Sequence, residues 1–376
     1  MKICCIADIH IGMKTYGKID PVTHFNIREL DGLQIFKNTI QYCIDNNIVT
    51  IVIAGDVYHQ AISSPMLQEK VNEILKYAID NGRKLFILIG NHDIKPLNTA
   101  CSALKPLDTF NIPNVIQSDV FKEVNYTLDN ETIRFVFLPT YHTAEEIHDI
   151  LTNKIIHDNT PIICIGHMSV QGAALNDWLI STNENFIDIN DFKQDDIKAV
   201  ILGHLHKHQV LMKEPIIFYT GSLQRLDFNE ERQQKGFVIL DTDNWSYKFI
   251  PVEAQDFYTI DVRVDQMHSF DDIYKKIDIS KIPNAIVRVR IRTTSEFKLT
   301  NSQEKELSKY IEKFNPSNLL SIQQKLEDVR QLRNSALNES ISIEKGLEVY
   351  FKGQKRGKER IAIGKKLLKE VKDNER

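Results

Sequence analysis

Short apolar runs alternate with longer amphipathic segments over residues 1–255. This alternation predicts strands separated by helices, the pattern of a layered α/β fold. The predicted strands cover residues 2–7, 49–54, 84–89, 133–138, 161–165, 199–202, 216–220 and 236–241. A further strand, over residues 245–250, closes the region.

The most clearly predicted helix covers residues 65–81. Ser64 suits the N-cap and Pro65 the first helical position, because proline lacks the N–H that a helix start leaves unpaired. The apolar residues of the segment share one helical face: Leu67, Val71, Ile74, Leu75 and Ala78. Thr143 and Glu146 have the spacing of a capping box and predict a second helix start.

A smaller α+β unit is predicted after the first region. Its strands cover residues 259–264 and 285–292, and its helices cover residues 270–277 and 302–314. Beyond this unit the chain becomes polar and helical in pattern, and its last residues are rich in lysine and arginine. We therefore predict three domains, with boundaries at 1–255, 256–318 and 319–376.

Arg288, Arg290 and Arg292 alternate with apolar residues in the predicted strand 285–292, so the three side chains share one face of a sheet. Charged residues commonly cover the solvated face of a sheet. The same row could also contact a nucleic-acid backbone. The sequence favours the first interpretation and leaves the second open.

Composition narrows the class of protein. The 376 residues are 42% hydrophobic and 26% charged, as in an ordinary globular protein. No apolar stretch approaches the roughly 20 residues that cross a bilayer, so we expect a cytoplasmic protein. The net charge of −4 does not indicate a strongly basic surface. Five cysteines without CxxC spacing argue against a disulfide framework and against a zinc–thiolate site.

Residues with metal-binding side chains follow five of the predicted strands. The five motifs are Asp8-Ile9-His10, Gly55-Asp56, Gly90-Asn91-His92-Asp93, Gly166-His167 and Gly203-His204-Leu205-His206. In α/β sheets the ligand crevice lies at the carboxyl ends of the strands, so such loops can converge there. A mixture of carboxylates, imidazoles and an amide without thiolates suits Mn²⁺, Fe or Zn²⁺.

A single Gly-Asp or Gly-His pair usually marks only a turn after a strand. Five such motifs in series, each at the end of a predicted strand, predict a binuclear metal site instead.

The ordered motif series resembles that of the calcineurin-like metallophosphoesterases. The linking residues 166–173, and the stretch from Tyr219 through Phe228 and Glu230 to Phe237, are similar to SbcD-type nuclease subunits. The resemblance implies a four-layer αββα core over about residues 1 to 250. A small capping domain and a helical C-terminal tail would follow it.

The resemblance also implies the roles of individual residues. Seven side chains would be metal ligands: Asp8, His10 and His206 on one ion, Asn91, His167 and His204 on the other, and Asp56 bridging both. His92 would be the catalytic acid that protonates the leaving oxygen, and Asp93 would orient it. His59 departs from the aspartate that relatives often carry there. It could be a substrate contact or a loop residue, and we favour the loop residue.

The function implied is that of a DNA nuclease with two divalent metal ions, expected to be Mn²⁺. It would degrade duplex ends as an exonuclease and cut single strands as an endonuclease in double-strand break repair, recombination or replication. The implied partners are DNA, a second copy of the chain, and an SbcC-like ABC/SMC-type ATPase bound through the C-terminal helices. A viral source would place the protein in the host cytoplasm.

Two other functions are compatible with the sequence. The first is a phosphatase or small-molecule phosphodiesterase, although residues 55–61 do not continue as Gly-Asp-x-Val-Asp-Arg-Gly, the pattern of protein phosphatases with this fold. The second is a scaffold that has lost catalysis. Such a scaffold should have lost ligands, and none of the seven is missing here.

Overall fold

The structure, a computed structural model, describes residues 1–95, 101–109, 112, 114–140, 142–174, 186–263, 269–293, 298–326, 360–366 and 368. The chain divides into two compact units. Unit 1 comprises Met1–Tyr258, Lys281–Val287 and Pro316–Asn318, and unit 2 comprises Thr259–Ser280, Arg288–Asn315 and Leu319–Arg376. No helix in the described part of the chain is long and apolar enough to cross a membrane.

Among its described residues, unit 1 contains fourteen strands that lie wholly within it. They are β1 Lys2–Ile6, β2 Thr50–Ala54, β3 Lys84–Leu88, β4 Ile94–Lys95, β5 Cys101–Ser102, β6 Val115–Ser118, β7 Lys122–Leu128, β8 Glu131–Phe137, β9 Ile162–His167, β10 Ile197–Gly203, β11 Gln209–Lys213, β12 Ile216–Tyr219, β13 Gly236–Asp241 and β14 Ser246–Pro251. Its α-helices are α1 Ile27–Asp45, α2 Pro65–Asp80, α3 Lys105–Thr109 and α4 Ala144–Asp149. A π-helical turn, Ile150–Lys154, continues α4.

Two six-stranded sheets form the centre of unit 1. The first has the order β14-β13-β1-β2-β3-β6, and the second has the order β11-β12-β10-β9-β8-β7. Strands β1, β2, β3 and β6 run parallel, as do β8, β9, β10 and β12. All parallel strands of one sheet therefore end at the same edge.

Alternate residues of β1 face two different hydrophobic clusters. Ile3 and Cys5 lie between the two sheets, whereas Cys4 and Ile6 face the layer formed by α1 and α2. In the second sheet, Cys164 belongs to a third cluster that includes residues of α4 and its continuation. Because both faces of the parallel strands are covered, these strands read as continuous apolar runs. The predicted four-layer αββα arrangement is confirmed.

Most predicted elements of unit 1 are present with their ends shifted by a few residues. Helix α2 has Ser64 as N-cap and Pro65 in its first turn, and Thr143 with Glu146 forms the capping box of α4. The hydrophobic pattern did not predict β7, whose residues are mostly polar, and did not give the bounds of α1. That helix begins with its own capping box, in which Asn26 pairs with Glu29.

A four-stranded sheet contains β15 Phe257–Arg263, β16 Ile286–Thr293, β17 Asn318–Leu319 and β18 Gln323–Leu326, in the order β15-β16-β17 with β18 paired to β16. Helix α5, Asn301–Glu312, belongs to unit 2. The predicted helix 270–277 is a 3-10 helix over Phe270–Lys276.

Most of the predicted helical tail, residues 319–376, lies outside the described residues, as does most of its basic cluster. Where the tail is described, residues 360–366 are helical, but Gln323–Leu326 form strand β18. Strand β18 pairs with β16 in parallel. The sequence of this segment alone did not indicate that it had a partner strand.

Candidate metal centre

The five predicted motifs meet at one place in unit 1. Three of them follow β1, β2 and β3 of the first sheet, and two end β9 and β10 of the second. The side chains of Asp8, His10, Asp56 and His167 are almost completely buried there. Parallel strands in each sheet bring their carboxyl ends to a common edge, and this geometry makes loops that are distant in sequence converge.

Four of the proposed ligands have left-handed backbone conformations. The φ angles are +52° at Asp8, +51° at His10, +55° at Asp56 and +90° at His204. Residues other than glycine adopt positive φ infrequently and at a cost, so such positions concentrate at functional sites.

One group of donors contains Asp8, His10 and His206, whose candidate ligand atoms all lie within 4.8 Å of one another. The Nε2 atoms of His10 and His206 are 3.2 Å apart. Burial and the neighbouring His206 hold the pKa of His10 well below its usual range, so His10 is neutral and has a lone pair to offer. The carboxylate of Asp8 accepts a hydrogen bond from the backbone N–H of His204 at 3.0 Å.

A second group contains Asp8, Asp56 and His167, again with donor atoms within 4.8 Å. His167 Nε2 lies 3.2 Å from Asp56 Oδ2 and 3.0 Å from Asn91 Oδ1. Asn91 Oδ1 is also 3.3 Å from His204 Nδ1. The structure therefore brings all seven predicted ligands together. Asp8 belongs to both groups, and Asp56 Oδ2 also lies 3.7 Å from His10 Nε2 of the first group.

The chemistry of this donor set fits divalent metal ions. Burial favours the neutral form of His167, but the adjacent carboxylates of Asp56 and Asp8 outweigh it and raise its pKa to about 9. The same contacts hold the pKa of Asp56 well below its usual range, against the effect of burial. Carboxylates and imidazoles that crowd one buried space are stabilised when cations displace the imidazole protons.

Gly90 permits the closest approach in the centre. A Cβ at this position would overlap the carboxylate and the backbone nitrogen of Asp56. The backbone of the Asn91 loop can therefore pass directly against Asp56 only because residue 90 has no side chain.

His92 lies beside the centre. It is not a member of the two donor groups described above, both of which contain Asp8. Its ring contacts that of His10 edge to face, with centroids 4.9 Å apart, and its backbone N–H donates to Asp56 Oδ1 at 2.8 Å. Its Nδ1 atom lies 2.8 Å from the backbone carbonyl oxygen of His59.

The structure gives Asp93 different partners from the expected one. Its buried carboxylate accepts hydrogen bonds from the backbone N–H groups of Val57, Tyr58 and Gly90, at 3.2, 2.8 and 3.0 Å. Desolvation raises the pKa of Asp93 to about 7. A carbonyl oxygen, that of His59, occupies the position beside His92 Nδ1, and Asp93 instead joins the loops after β2 and β3.

Sequence reasoning gave no role to two residues beside the centre. Glu230 Oε1 lies 2.8 Å from His206 Nδ1, and Lys235 Nζ lies 2.6 Å from Glu230 Oε2. Burial opposes ionisation of Glu230, but its contacts with His206 and Lys235 outweigh burial and lower its pKa to about 2. Glu230 appears in the sequence analysis only as part of the family resemblance. The available signal in the sequence is Lys235, a charged residue directly before the predicted strand 236–241.

Two further histidines, His59 and His208, have well-defined partners. His59 lies at the centre, with its Nδ1 3.4 Å from that of His10 and its ring stacked on His92. The donor atoms of His10, His59 and His92 also lie within 4.8 Å of one another. His208 stacks on Phe249, and its Nδ1 lies 2.8 Å from the Tyr219 carbonyl oxygen.

Clefts open on either side of the ligands. A cavity of about 150 Å³ borders Asn91, His167 and His204, and another of about 180 Å³ borders His204 and His206. A third, of about 230 Å³, reaches His59 from the α2 side. The buried donors are thus accessible from more than one cleft.

The predicted arginine row lies on β16. Arg288 donates to Thr259 Oγ1 at 2.9 Å, and Arg292 pairs with both carboxylate oxygens of Asp261 at 3.0 and 2.6 Å. Arg290 is exposed. Two of the three arginines therefore make contacts within unit 2.

The calcineurin-like phosphoesterase family matches residues 1–208, which is more than half of the chain. The chain belongs to this family. The match confirms the resemblance drawn from the motifs and identifies the protein as a hydrolase of phosphate esters. The phosphoesterase family uses a dinuclear metal centre, and the donors assembled here fit one.

This phosphoesterase is similar in sequence to several named proteins. It is 28% identical over 276 residues to the SbcD component of the SbcCD nuclease from Staphylococcus saprophyticus, covering 67% of this chain and 69% of that protein. The protein of the same name in Staphylococcus epidermidis is 26% identical over 267 residues, covering 65% and 67%. DNA double-strand break repair protein Mre11 of Archaeoglobus fulgidus is 21% identical over 301 residues, covering 74% and 65%.

Proposed function

We propose that this phosphoesterase is a Mn²⁺-dependent DNA nuclease that degrades duplex ends and cuts single strands. The observation that carries the proposal is the convergence of seven donors at the joined edges of two sheets, in a chain similar to nucleases named SbcD and Mre11. The open clefts beside the donors suit a polymer.

The ligands divide between two metal positions. Asp8, His10 and His206 would hold one ion, Asn91, His167 and His204 would hold the other, and Asp56 would be shared by both. The grouping of Asp8 with His10 and His206 supports the first position, and the grouping of Asp56 with His167, which also includes Asp8, supports the second. When bound, two such ions about 3.5–4 Å apart supply Lewis-acid stabilisation to both the attacking and the leaving oxygens of an in-line displacement.

His92 supplies the proton for the leaving oxygen. The His59 carbonyl accepts a hydrogen bond from the Nδ1–H of His92, which leaves Nε2 as the atom that faces the substrate. Asp93 holds the loop that carries His92 and Asn91, because three backbone N–H groups converge on its carboxylate. His59 contacts the substrate beside His92.

The biological setting follows from the named relatives. The chain acts as the nuclease subunit of a complex with an SbcC-like ATPase, which binds the C-terminal region, in repair, recombination or replication of DNA in the cytoplasm. Two copies of the chain pair as a homodimer. The apolar faces of α1 and α2 pack into the core of unit 1, so pairing would use their outward faces.

The test compares substrates under one set of conditions. The purified chain with Mn²⁺ should cleave linear duplex and single-stranded DNA, and chelation or Asp56→Asn should abolish the cleavage. Glu253→Gln, which changes an exposed carboxylate, serves as the control. Turnover of a chromogenic phosphate ester without any cleavage of DNA would overturn the nuclease proposal in favour of a phosphatase or small-molecule phosphodiesterase.

Adding a co-purified SbcC-like ATPase tests the complex. We expect the ATPase to increase cleavage of blunt and hairpin duplexes and to make it depend on ATP. Equal activity with and without the ATPase would remove the partner from the proposal and leave the nuclease in place.

A further inference from the structure

The ring of His206 has partners on both sides. Its Nε2 faces His10 Nε2 at 3.2 Å, whereas its Nδ1 lies 2.8 Å from Glu230 Oε1 on the opposite edge. An ionised carboxylate can only accept hydrogen bonds, so Nδ1 carries the hydrogen. Nε2 is then left with the lone pair that a metal requires.

Glu230 is itself held in place. Lys235 Nζ lies 2.6 Å from Glu230 Oε2, and the backbone N–H of Leu226 donates to the same oxygen at 3.1 Å. The side chain of Lys235 is 0% exposed and that of Glu230 is 10% exposed. An ion pair that is withdrawn from water to this extent has little freedom to rearrange.

Lys235 also fixes the backbone that carries His206. Its ammonium donates to the His206 carbonyl oxygen at 3.0 Å and to Ser222 Oγ at 3.0 Å. One buried cation therefore holds His206 from both ends, through Glu230 at the ring and directly at the carbonyl.

His167 of the other metal position has a different arrangement. Its Nδ1 lies 2.8 Å from the backbone carbonyl oxygen of Ala54. The partner of this nitrogen is thus a neutral carbonyl, whereas that of His206 Nδ1 is a carboxylate. A carboxylate partner raises the basicity of a ligating imidazole more than a neutral carbonyl does. The two positions therefore differ in the partner of one histidine ligand: His206 has a carboxylate and His167 has a backbone carbonyl.

We propose that Glu230 is a positioning residue that strengthens metal binding selectively at the Asp8–His10–His206 position, with Lys235 holding Glu230 in place. This inference rests on the assignment of the ligands under the proposed function. It adds a residue that touches neither metal nor substrate.

Calorimetric titration of the metal-free full-length chain with Mn²⁺ tests the inference. Glu230→Gln keeps the size of the side chain and removes its charge, and it should weaken one of the two binding events by about 10- to 100-fold. The other event should change by less than about threefold, since its ligands keep their partners. Glu253→Gln should leave both events unchanged. Two unchanged events in Glu230→Gln, or equal weakening of both, would overturn the inference.

A structural role for Glu230 is separated by two measurements. The metal-free Glu230→Gln chain should unfold at a lower temperature than the Glu253→Gln control, because the change leaves the buried Lys235 ammonium without its carboxylate. Titrations run well below that temperature should still show selective weakening of one binding event, whereas a purely structural role would weaken both. If Glu230→Gln does not fold, long-range nitrogen NMR of the Zn²⁺-loaded native chain decides. His206 should then show a protonated Nδ1 and a metal-bound Nε2, and the reverse assignment would overturn the inference.

None of these measurements, the titration, the unfolding or the NMR experiment, uses DNA. A native chain that binds two Mn²⁺ ions without cleaving DNA would contradict the proposed substrate and leave this inference standing. A native chain that binds no metal would refute both.

Discussion

The Nδ1 atom of His92 lies 2.8 Å from the carbonyl oxygen of His59. This contact joins the loop after β3 to the loop after β2, and it fixes the ring without an acidic partner. A carbonyl oxygen can only accept a hydrogen bond, so it orients the imidazole with Nδ1 as the donor.

His92→Gln should reduce DNA cleavage by about 10²- to 10⁴-fold, the usual contribution of a positioned general acid. Mn²⁺ affinity should stay close to that of the native chain, because His92 is not a proposed ligand. Single-turnover cleavage and calorimetric titration measure the two quantities. His148→Gln, which changes an exposed histidine on α4, is the matched control. Native cleavage rates in His92→Gln would remove His92 from the mechanism.

Asp93→Ala should destabilise the fold by roughly 2–4 kcal/mol, because it leaves three buried backbone N–H groups without their acceptor. Urea denaturation of the metal-free chain measures the loss. The variant should also bind Mn²⁺ more weakly, since Asn91 lies on the same loop. Full stability together with lost cleavage would instead show that Asp93 acts on His92.

Gly90→Ala should destabilise the fold by roughly 1–3 kcal/mol and weaken metal binding, since its Cβ would overlap Asp56. Gly82→Ala is the contrasting variant. Gly82 has a φ of +77° with open space around it, so alanine there meets backbone strain alone and should leave metal binding intact. Denaturation and metal titration of both variants separate the two causes. Equal effects on metal affinity would contradict the steric explanation.

The pair His157–Asp196 should stabilise the fold in a pH-dependent way. Partial burial favours neutral His157, but the hydrogen bond to Asp196 at 2.8 Å outweighs it and raises the histidine pKa above 6.5. The stabilisation is therefore complete below the unfolded pKa and disappears as pH rises through the folded pKa.

His157→Gln tests this linkage. The variant should be destabilised by roughly 0.5 kcal/mol more at about pH 5.5 than at about pH 9, a size typical of partly exposed ion pairs. Urea denaturation of both chains at the two pH values gives the difference. A loss of stability that does not depend on pH would show that the pair contributes only a neutral hydrogen bond.

Arg290→Ala should weaken DNA binding and reduce the slope of log affinity against log salt by about 1, if the β16 arginines contact phosphates. Arg292→Ala should affect stability more than DNA binding, because Arg292 is already paired with Asp261. Fluorescence anisotropy at several salt concentrations, together with thermal unfolding, compares them. An unchanged slope in Arg290→Ala would favour the solvated-face interpretation.

The sequence predicted the main strands of the core because these strands are buried on both faces. Continuous apolar runs such as β1 and β9 leave a signal that does not depend on neighbouring chain segments. Strand β7 left no such signal. Its residues alternate between half-buried and exposed, and its pairing with β8 is what makes it a strand.

The sequence by itself determined which side chains are available for metal binding and that each follows a strand. Local residue types and hydrophobic patterns suffice for that, because a strand delivers its end to the edge of a sheet. The partners of each ring nitrogen were decided only by the tertiary structure. His10 and His206 are 196 residues apart, and Glu230 reaches His206 from a separate turn. Contacts of this kind depend on how two sheets pack, to within about an ångström, and residue spacing along the chain carries no such information.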